Sequence, residues 1–462
     1  MSATFKTPQE ASKRWIEEGK AYKNALNSWL DIIYIDGKQP ETPCPEETRK
    51  DMGEYVLQQI LDFNEQGKQD ELRALFPPDN DPMNWENIVA CVNQVTILSD
   101  NRLLVGIGQW HEEKYMYVIN GNDYEMLEEV FMFGKSPDKK YFAKVYTDKI
   151  TISEGWDGPV IKTLAPPENY GKNYTTVKDG LGEMNLKDFG IHQVVVFPSG
   201  QRVGIATHVG IFIIDESGST FIETENYEAE EEGYTFRHDY PHIDVSPDEK
   251  YIAVGSQSSS HYLMEEKEGA WETIATVEPR SSYPNFAKFN YKPTEAGVEN
   301  DGPQVLLSSC HFQQSASLGL PIKNLTPDFK ASGYDADDTL TYVDTRKWVF
   351  SATNYAWGYG LGCNDGYIWY KGTYGQYYGH LFVGGTVMDL DISDDRMTMV
   401  AASYSGQVIV YRVNKDELFG GSLFRYAETR EQVRPDTYAI TNTAYRDVKR
   451  YLFLSGMHPK IW

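Results

Sequence analysis

The sequence has little positive charge and few cysteines. Its 462 residues include 43 Lys and Arg against 68 Asp and Glu, which gives a formal net charge of −25 at pH 7. Nucleic-acid binding needs clustered Lys and Arg that neutralise phosphates, so this balance argues against a nucleic-acid partner and against an anionic membrane surface. The cysteines lack CxxC spacing, so neither a disulfide framework nor a zinc knuckle is indicated. They are Cys44, Cys91, Cys310 and Cys363.

Long apolar runs are missing as well. No stretch approaches the roughly 18 uninterrupted apolar residues that a membrane span needs. The N-terminus also lacks the basic and apolar regions of a signal peptide. We therefore expect a cytoplasmic protein without membrane contact. Aromatic residues are plentiful, with 10 Trp, 20 Phe and 32 Tyr, and they predict a large folded core rather than disorder.

Residues 1–82 differ in pattern from the rest of the chain. Apolar residues recur at helical spacing there, first from Trp15 to Ile33 and again from Met52 to Phe63. Such faces need a partner surface. We predict an N-terminal helical segment, 1–82, that packs on a β domain formed by residues 83–462. In the alternative, these helices bind a partner.

From about residue 85 the chain consists of short β-runs separated by turns. An alternating strand, a turn of Ser, Pro, Asp and Lys, and an apolar strand ending in small residues recur in eight copies. The copies with the most distinct turns contain Ser136-Pro-Asp-Lys-Lys and Ser246-Pro-Asp-Glu-Lys. The mean spacing of the turns is about 50 residues, which is the size of one propeller blade.

These turns, with His238 and His242 shortly before Ser246, resemble the WD40-like β-propeller superfamily, although the Trp-Asp pair is missing. The resemblance implies a mainly β fold of four-stranded antiparallel blades with an N-terminal helical extension. We count eight blades, or seven if a degenerate copy around 283–385 is not a full blade. We also predict that residues 84–90 close the ring by pairing with the C-terminal blade. The fold hosts scaffolds and enzymes alike.

Histidines are concentrated in the predicted loops between second and third strands. Five of the nine histidines fall there, and such loops share one rim of a propeller, where binding sites concentrate. They could bind a metal, act as general acid and base, or form ordinary turn hydrogen bonds. A metal-assisted lyase or hydrolase is therefore the alternative function, with His111 as a fifth catalytic candidate. The metal candidates are His208, His261, His311 and His458.

The leading hypothesis is a non-enzymatic protein-binding scaffold. The sequence has no HExxH, calcium-loop or Gly-x-Ser-x-Gly motif, so we expect no cofactor. Tyr and Trp crowd residues 353–379, and an acidic run occupies 223–232. Aromatic side chains suit recognition surfaces, although core packing explains them equally well. The acidic charge suits a partner with a basic surface, for example a toxin neutralised by an immunity protein. The predicted partner-binding residues are Trp110, His111, Tyr355, Trp357, Tyr359, Tyr404, Glu228, Glu230 and Glu231.

Overall fold

The structure is a computed structural model, and its fold is mainly β with helices at the N-terminus. The residues that it describes are 3–34, 38–78, 90–108, 113–167, 185–224, 238–257, 259–280, 283–291, 302–311, 314–335, 337–355, 358–396, 398–413, 445–454 and 458–462.

The N-terminal segment folds into helices that pack on the end of the chain. The helices are α1 (Pro8–Tyr34), a 3₁₀ helix (Thr48–Met52), α2 (Gly53–Glu65) and α3 (Gln69–Leu75). Trp15 on α1 is fully buried with Trp462, the last residue, at 5.9 Å between ring centroids. The Trp462 indole Nε1 donates to the Phe76 carbonyl at 2.6 Å. Asn64 bonds both the N–H and the carbonyl of Ile461 at 2.9 Å. Among the described helices, none is long and apolar enough to cross a membrane.

The β part is built from units of four antiparallel strands, which are consecutive in the chain in every described unit except the fifth. The first unit is β1 (Val92–Ile97), β2 (Leu103–Ile107), β3 (Tyr115–Asn120) and β4 (Asp123–Leu127). The second is β5 (Met132–Lys135), β6 (Tyr141–Val145), β7 (Ile150–Glu154) and β8 (Val160–Leu164). The third is β9 (Ile191–Val196), β10 (Val203–Thr207), β11 (Gly210–Asp215) and β12 (Gly218–Ile222). A parallel pairing of Lys135 with Val195 joins the second and third units into one eight-stranded sheet.

Four further units follow, two of them extended by a fifth strand. The fourth is β13 (His242–Val245), β14 (Tyr251–Gly255), β15 (His261–Lys267) and β16 (Ala270–Glu278), with β20 (Phe329–Ser332) parallel to β16. The fifth is β17 (Pro284–Asn290), β18 (Gln304–His311), β19 (Gln314–Pro321) and β21 (Thr341–Asp344), with a 3₁₀ helix at Ile322–Asn324. The sixth is β22 (Val349–Tyr355), β23 (Gly358–Cys363), β24 (Tyr367–Gly372) and β25 (Tyr377–Phe382). The seventh is β26 (Val387–Ile392), β27 (Thr398–Ser403), β28 (Gln407–Val413) and β29 (Tyr445–Leu452), extended by β30 (Lys460–Ile461).

The Ser-Pro-Asp turns join the first and second strands of their units, as their sequence predicts. In the fourth unit the Ser246 hydroxyl donates to Asp248 at 2.6 Å and accepts the Tyr251 N–H at 2.9 Å. Ser136 makes the equivalent bonds in the second unit. One residue of each turn takes a left-handed conformation, Lys139 at φ 57° and Glu249 at φ 59°. The recurring sequence therefore encodes a recurring, internally bonded hairpin.

The first strands of the seven units contact one another in sequence, and the last contacts the first. Outside the β5–β9 pairing, polar side chains bond the backbone of the neighbouring first strand at each junction. The bonds are Gln94 Nε2 to Phe133 O (2.7 Å), Ile243 N to Gln193 Oε1 (3.2 Å), Phe289 N to Asp244 Oδ2 (2.7 Å), Asn285 Nδ2 to Val349 O (2.6 Å), Ser351 Oγ to Val387 O (3.1 Å) and Val95 N to Asp389 Oδ2 (2.8 Å).

The described residues contain seven such units, so the count of eight from the sequence is not reproduced. The eighth sequence copy contributes Tyr445–Leu452, which is β29, the fourth strand of the seventh unit. The copy at 340–352 supplies β21 of the fifth unit and the start of β22, so its turn connects two units rather than two strands of one. Region 283–385 instead contains two complete units. Residues 84–89 of the predicted closing strand lie outside the described residues, but the Ala90 N–H does donate to the Phe453 carbonyl at 2.9 Å.

Candidate functional site: a central channel

The seven first strands enclose a cavity of about 1150 Å³. Because all seven first strands run in the same direction along the channel, the two ends of the cavity differ. The first hairpin turns, including Ser136–Lys139 and Asp394–Arg396, lie at one end. The other end, here called the channel mouth, is where first strands begin and second strands finish. The residues of the channel mouth used below are Lys114, His192, His208, Asp239, Tyr240, Phe350 and Tyr404.

A recurring β-bulge shapes the channel mouth. In five units the register between first and second strands shifts at the start of the first strand, which leaves one residue of that strand unpaired. A bulge of this kind re-aims a side chain, and bulges are common at functional rims. Each of the bulged residues lines the channel. They are Asn93, His192, Asn285, Phe350 and Met388.

Deeper in the channel, the buried Asp391 carboxylate joins three units. It accepts ion pairs from Lys135 Nζ at 2.9 Å and Lys139 Nζ at 2.7 Å, both from the second unit. It also accepts the Ile97 N–H at 3.0 Å and bonds the Thr96 hydroxyl in the first unit. Burial alone would raise the pKa of Asp391, but the two lysines and these bonds hold it below its usual value. Burial lowers the pKa of Lys135.

Two other buried carboxylates, Asp389 and Asp244, accept backbone N–H bonds from neighbouring first strands, and their negative charges are less fully compensated by lysines than that of Asp391. Asp389 accepts the Val95 N–H, and burial raises its pKa to about 6. Asp244 accepts the Phe289 N–H and pairs with Lys288 at 3.5 Å, and burial raises its pKa as well. These groups are explained by their role in joining units, so perturbed titration here does not by itself indicate catalysis.

Histidines form a hydrogen-bonded chain at the channel mouth. His208 Nδ1 lies 2.6 Å from the His238 carbonyl, and its Nε2 lies 3.0 Å from His192 Nε2. A carbonyl only accepts, so His208 carries its proton on Nδ1. When both rings are neutral, His192 must then donate from Nε2 and keep an unprotonated Nδ1. Burial, followed by the charges of His208 and Lys114, lowers the pKa of His192 well below its usual value.

Lys114 and three aromatic side chains complete the channel mouth. Lys114 Nζ, from the loop before β3, reaches the Ile191 carbonyl of the third unit at 2.6 Å. Burial lowers its pKa to about 8. Tyr240 and Tyr404 are 46% and 50% exposed. Tyr240 lies 6.5 Å from the half-buried Phe350 ring. The channel mouth therefore combines a lysine, hydrogen-bonded histidines and accessible aromatic surface.

The four predicted metal candidates do not come together. Each packs against a different ring: His208 against His192, His261 against His242, His311 against Tyr283, and His458 against Tyr124. His458 also follows a fourth strand rather than a second one. In the part of the chain that the structure describes, no three His, Cys, Asp or Glu side chains are grouped to hold a metal ion.

Two of the predicted partner-binding residues are core residues, which corrects the sequence interpretation. Tyr359 is fully buried and donates its hydroxyl to Gln304 Oε1 at 2.8 Å. Tyr355 is buried with its ring 5.2 Å from that of Tyr370. Tyr355 is the last residue of β22, a first strand that begins at the channel mouth, so it lies at the end opposite Tyr404, which is exposed at the channel mouth. The remaining predicted residues lie outside the described ranges. They are Trp110, His111, Trp357, Glu228, Glu230 and Glu231.

Sequence reasoning missed Lys114, His192, Tyr240 and Phe350. A signal for part of this set exists in the first strands: β1, β9 and β26 share one burial pattern, with positions two and three facing the channel. His192 occupies position two of β9. No protein-family model matches the chain, and no curated protein is significantly similar to it. The functional proposal below therefore rests on the geometry of the channel.

Proposed function

We propose that this chain is a seven-bladed β-propeller that binds a protein partner at the channel mouth. The closed circuit of first strands and the repeated four-stranded units support the propeller architecture. The carrying observation for binding is that Tyr240 and Tyr404 are about half exposed at the entrance of a cavity. Exposed aromatic side chains beside a concave, rigid surface are typical of recognition sites.

The bulges give this surface a rigid base. Phe350 is a bulged residue next to Tyr240, and its strand is held between two neighbours by backbone pairing and by the Ser351 bond to Val387. A partner group that enters here would meet a strand whose backbone these contacts already hold in place, which reduces the entropy cost of binding.

The charge of the chain adds a proposal about the partner. A net charge of −25 accelerates encounter with a basic protein over long distances. A toxic basic enzyme, neutralised when its surface is covered, is one partner of this kind. A non-enzymatic scaffold is favoured over a metal-assisted lyase or hydrolase because the four candidate histidines that the structure describes are distributed over separate contacts.

Affinity capture from the native host tests the proposal when wild type and variants are compared quantitatively by mass spectrometry. Tyr240→Ala with Tyr404→Ala should remove a stoichiometric protein that wild type retains. The matched control is Tyr334→Ala with Tyr374→Ala, because these tyrosines are 56% and 38% exposed and do not line the channel. Retention of the same partner by the channel-mouth variant would refute binding at this site.

A further inference from the structure

We propose that the channel mouth contains a carboxylate-binding site formed by Lys114 with His192. This inference goes beyond the proposed function, because the carboxylate can belong to a protein partner or to a small organic acid.

The first argument is the charge state of the channel lysines. Lys135, Lys139 and Lys288 each pair with an aspartate within the channel. Lys114 has no carboxylate partner among the described residues, and a single contact, with the Ile191 carbonyl, uses one of its three N–H donors. The amine is enclosed enough to lose part of its hydration. A ligand oxygen in the channel would satisfy the other donors and compensate the charge.

The second argument is the neighbouring histidine chain. With His208 fixed as an acceptor at Nε2, the neutral His192 ring has a proton acceptor, Nδ1, left to take up a proton. A bound carboxylate favours the protonated imidazole and so opposes the lowering of the His192 pKa by burial and by Lys114.

The surrounding charges favour a monoanion. Asp239 lines the same end, yet no carboxylate among the residues that the structure describes contributes to the pKa shifts of Lys114, His192 or His238. The Glu113 carboxylate accepts the Tyr115 hydroxyl at 2.6 Å. Among the described groups of this site, the Lys114 ammonium is the one positive charge before a ligand binds, which matches the single charge of a carboxylate, whereas a phosphate dianion is usually bound by more cationic donors. Tyr240 and Phe350 supply aromatic surface for the group that carries the carboxylate.

Competitive acetylation of the full chain, read by mass spectrometry across pH, measures the Lys114 pKa directly. Benzoate should raise that pKa by about one unit or more, because an opposite charge in contact favours the ammonium form. At pH 8 this appears as several-fold slower labelling of Lys114. Calorimetric binding of benzoate should weaken from pH 7 to pH 9, as the amine loses its proton. An unchanged labelling rate at tens of millimolar benzoate would overturn the proposal, as would phosphate binding in preference to carboxylates.

Variants and peptides separate the sources of the carboxylate. Lys114→Met should abolish benzoate binding, whereas Lys140→Met, at an exposed lysine outside the channel, should not. Equal binding by both variants would refute the site, and the labelling experiment on wild type does not depend on either variant folding. A peptide with a free C-terminal carboxylate that binds more tightly than its amidated form and than benzoate identifies a protein ligand. If benzoate instead binds more tightly than the peptide with a free carboxylate, the natural ligand is a small acid. Because the probes are small, this test can fail while partner capture succeeds.

Discussion

Asparagine substitutions at Asp391 and Asp389 should change stability in opposite directions, although the two residues lie on one strand. Asp391→Asn keeps an oxygen for the Ile97 N–H but removes the negative charge between Lys135 and Lys139. Breaking a buried ion pair from one side costs about 3–5 kcal/mol. The retained hydrogen bond places the expected loss near the lower value, about 3 kcal/mol.

Asp389→Asn removes a charge that is costly to bury. A pKa of about 6, against an ordinary value of 3.8, is a shift of about two units, and each unit corresponds to about 1.4 kcal/mol. The amide loses one of two acceptor oxygens, which costs about 1 kcal/mol. The net expectation at pH 8 is stabilisation by about 1–2 kcal/mol. Because the folded-state pKa is raised, wild type regains this stability as the pH falls through 6, so the advantage of asparagine should disappear by pH 5.

Differential scanning calorimetry at pH 8 and pH 5 measures both effects. If the chain unfolds cooperatively, each kcal/mol shifts the midpoint by roughly 1 °C, from the typical unfolding entropy per residue over about 460 residues. Asp391→Asn should lower the midpoint by about 3 °C at pH 8 and Asp389→Asn should raise it by about 1–2 °C. Shifts of the same sign, or a pH-independent effect of Asp389→Asn, would refute the electrostatic account of how the circuit closes.

Two further substitutions test other contacts. Trp462→Ala removes a fully buried ring and its bond to the Phe76 carbonyl, and it should lower the free energy of unfolding by about 3–5 kcal/mol. Hydrogen exchange should become faster in α2 and stay unchanged in β17–β19. If α2 were as protected in the variant as in wild type, the role of Trp462 in docking the helices would be contradicted. Gly134→Ala would place a methyl group 2.5 Å from Val194 Cγ1 where the second and third units meet. It should destabilise by about 1–3 kcal/mol in urea unfolding. Gly360→Ala, which meets the flexible end of Met399 at 3.1 Å, should cost less.

The sequence predicted individual hairpins better than their assembly into units. The Ser-Pro-Asp turns sit between first and second strands because their side chains bond their own backbone, a local property that sequence reveals. The segment 341–355 has the same alternation of strand, turn and strand, yet its turn connects the fifth and sixth units. Local pattern is identical in the two cases, since it records strand length and turn chemistry and not the pairing partner. That ambiguity misplaced the sixth copy, and the count of eight came from Tyr445–Leu452, which pairs with β28 as a fourth strand and does not begin a unit of its own.

The candidate site was harder to predict because its residues come from separate units. Lys114, His192 and Tyr240 belong to the first, third and fourth units and meet only when the circuit closes. The aromatic density of 353–379 was conspicuous in sequence, but Tyr359 and Tyr355 are used in the core. Residue type alone does not separate a buried tyrosine from an exposed one, whereas the strand position that faces the channel does.

Charge compensation distinguishes the parts of the channel that hold the fold from the part available for a ligand. Asp391 pairs with two lysines of the second unit and accepts a backbone N–H of the first unit. Any ligand that took its place would have to replace these contacts, which close the circuit. Lys114 does not join units through an ion pair of this kind, because its described contact is a single carbonyl and no described carboxylate pairs with it. Evolutionary or engineered change at Asp391 would therefore act first on stability, while change at Lys114 would act first on binding. The two aspartate variants and Lys114→Met together measure whether this division holds.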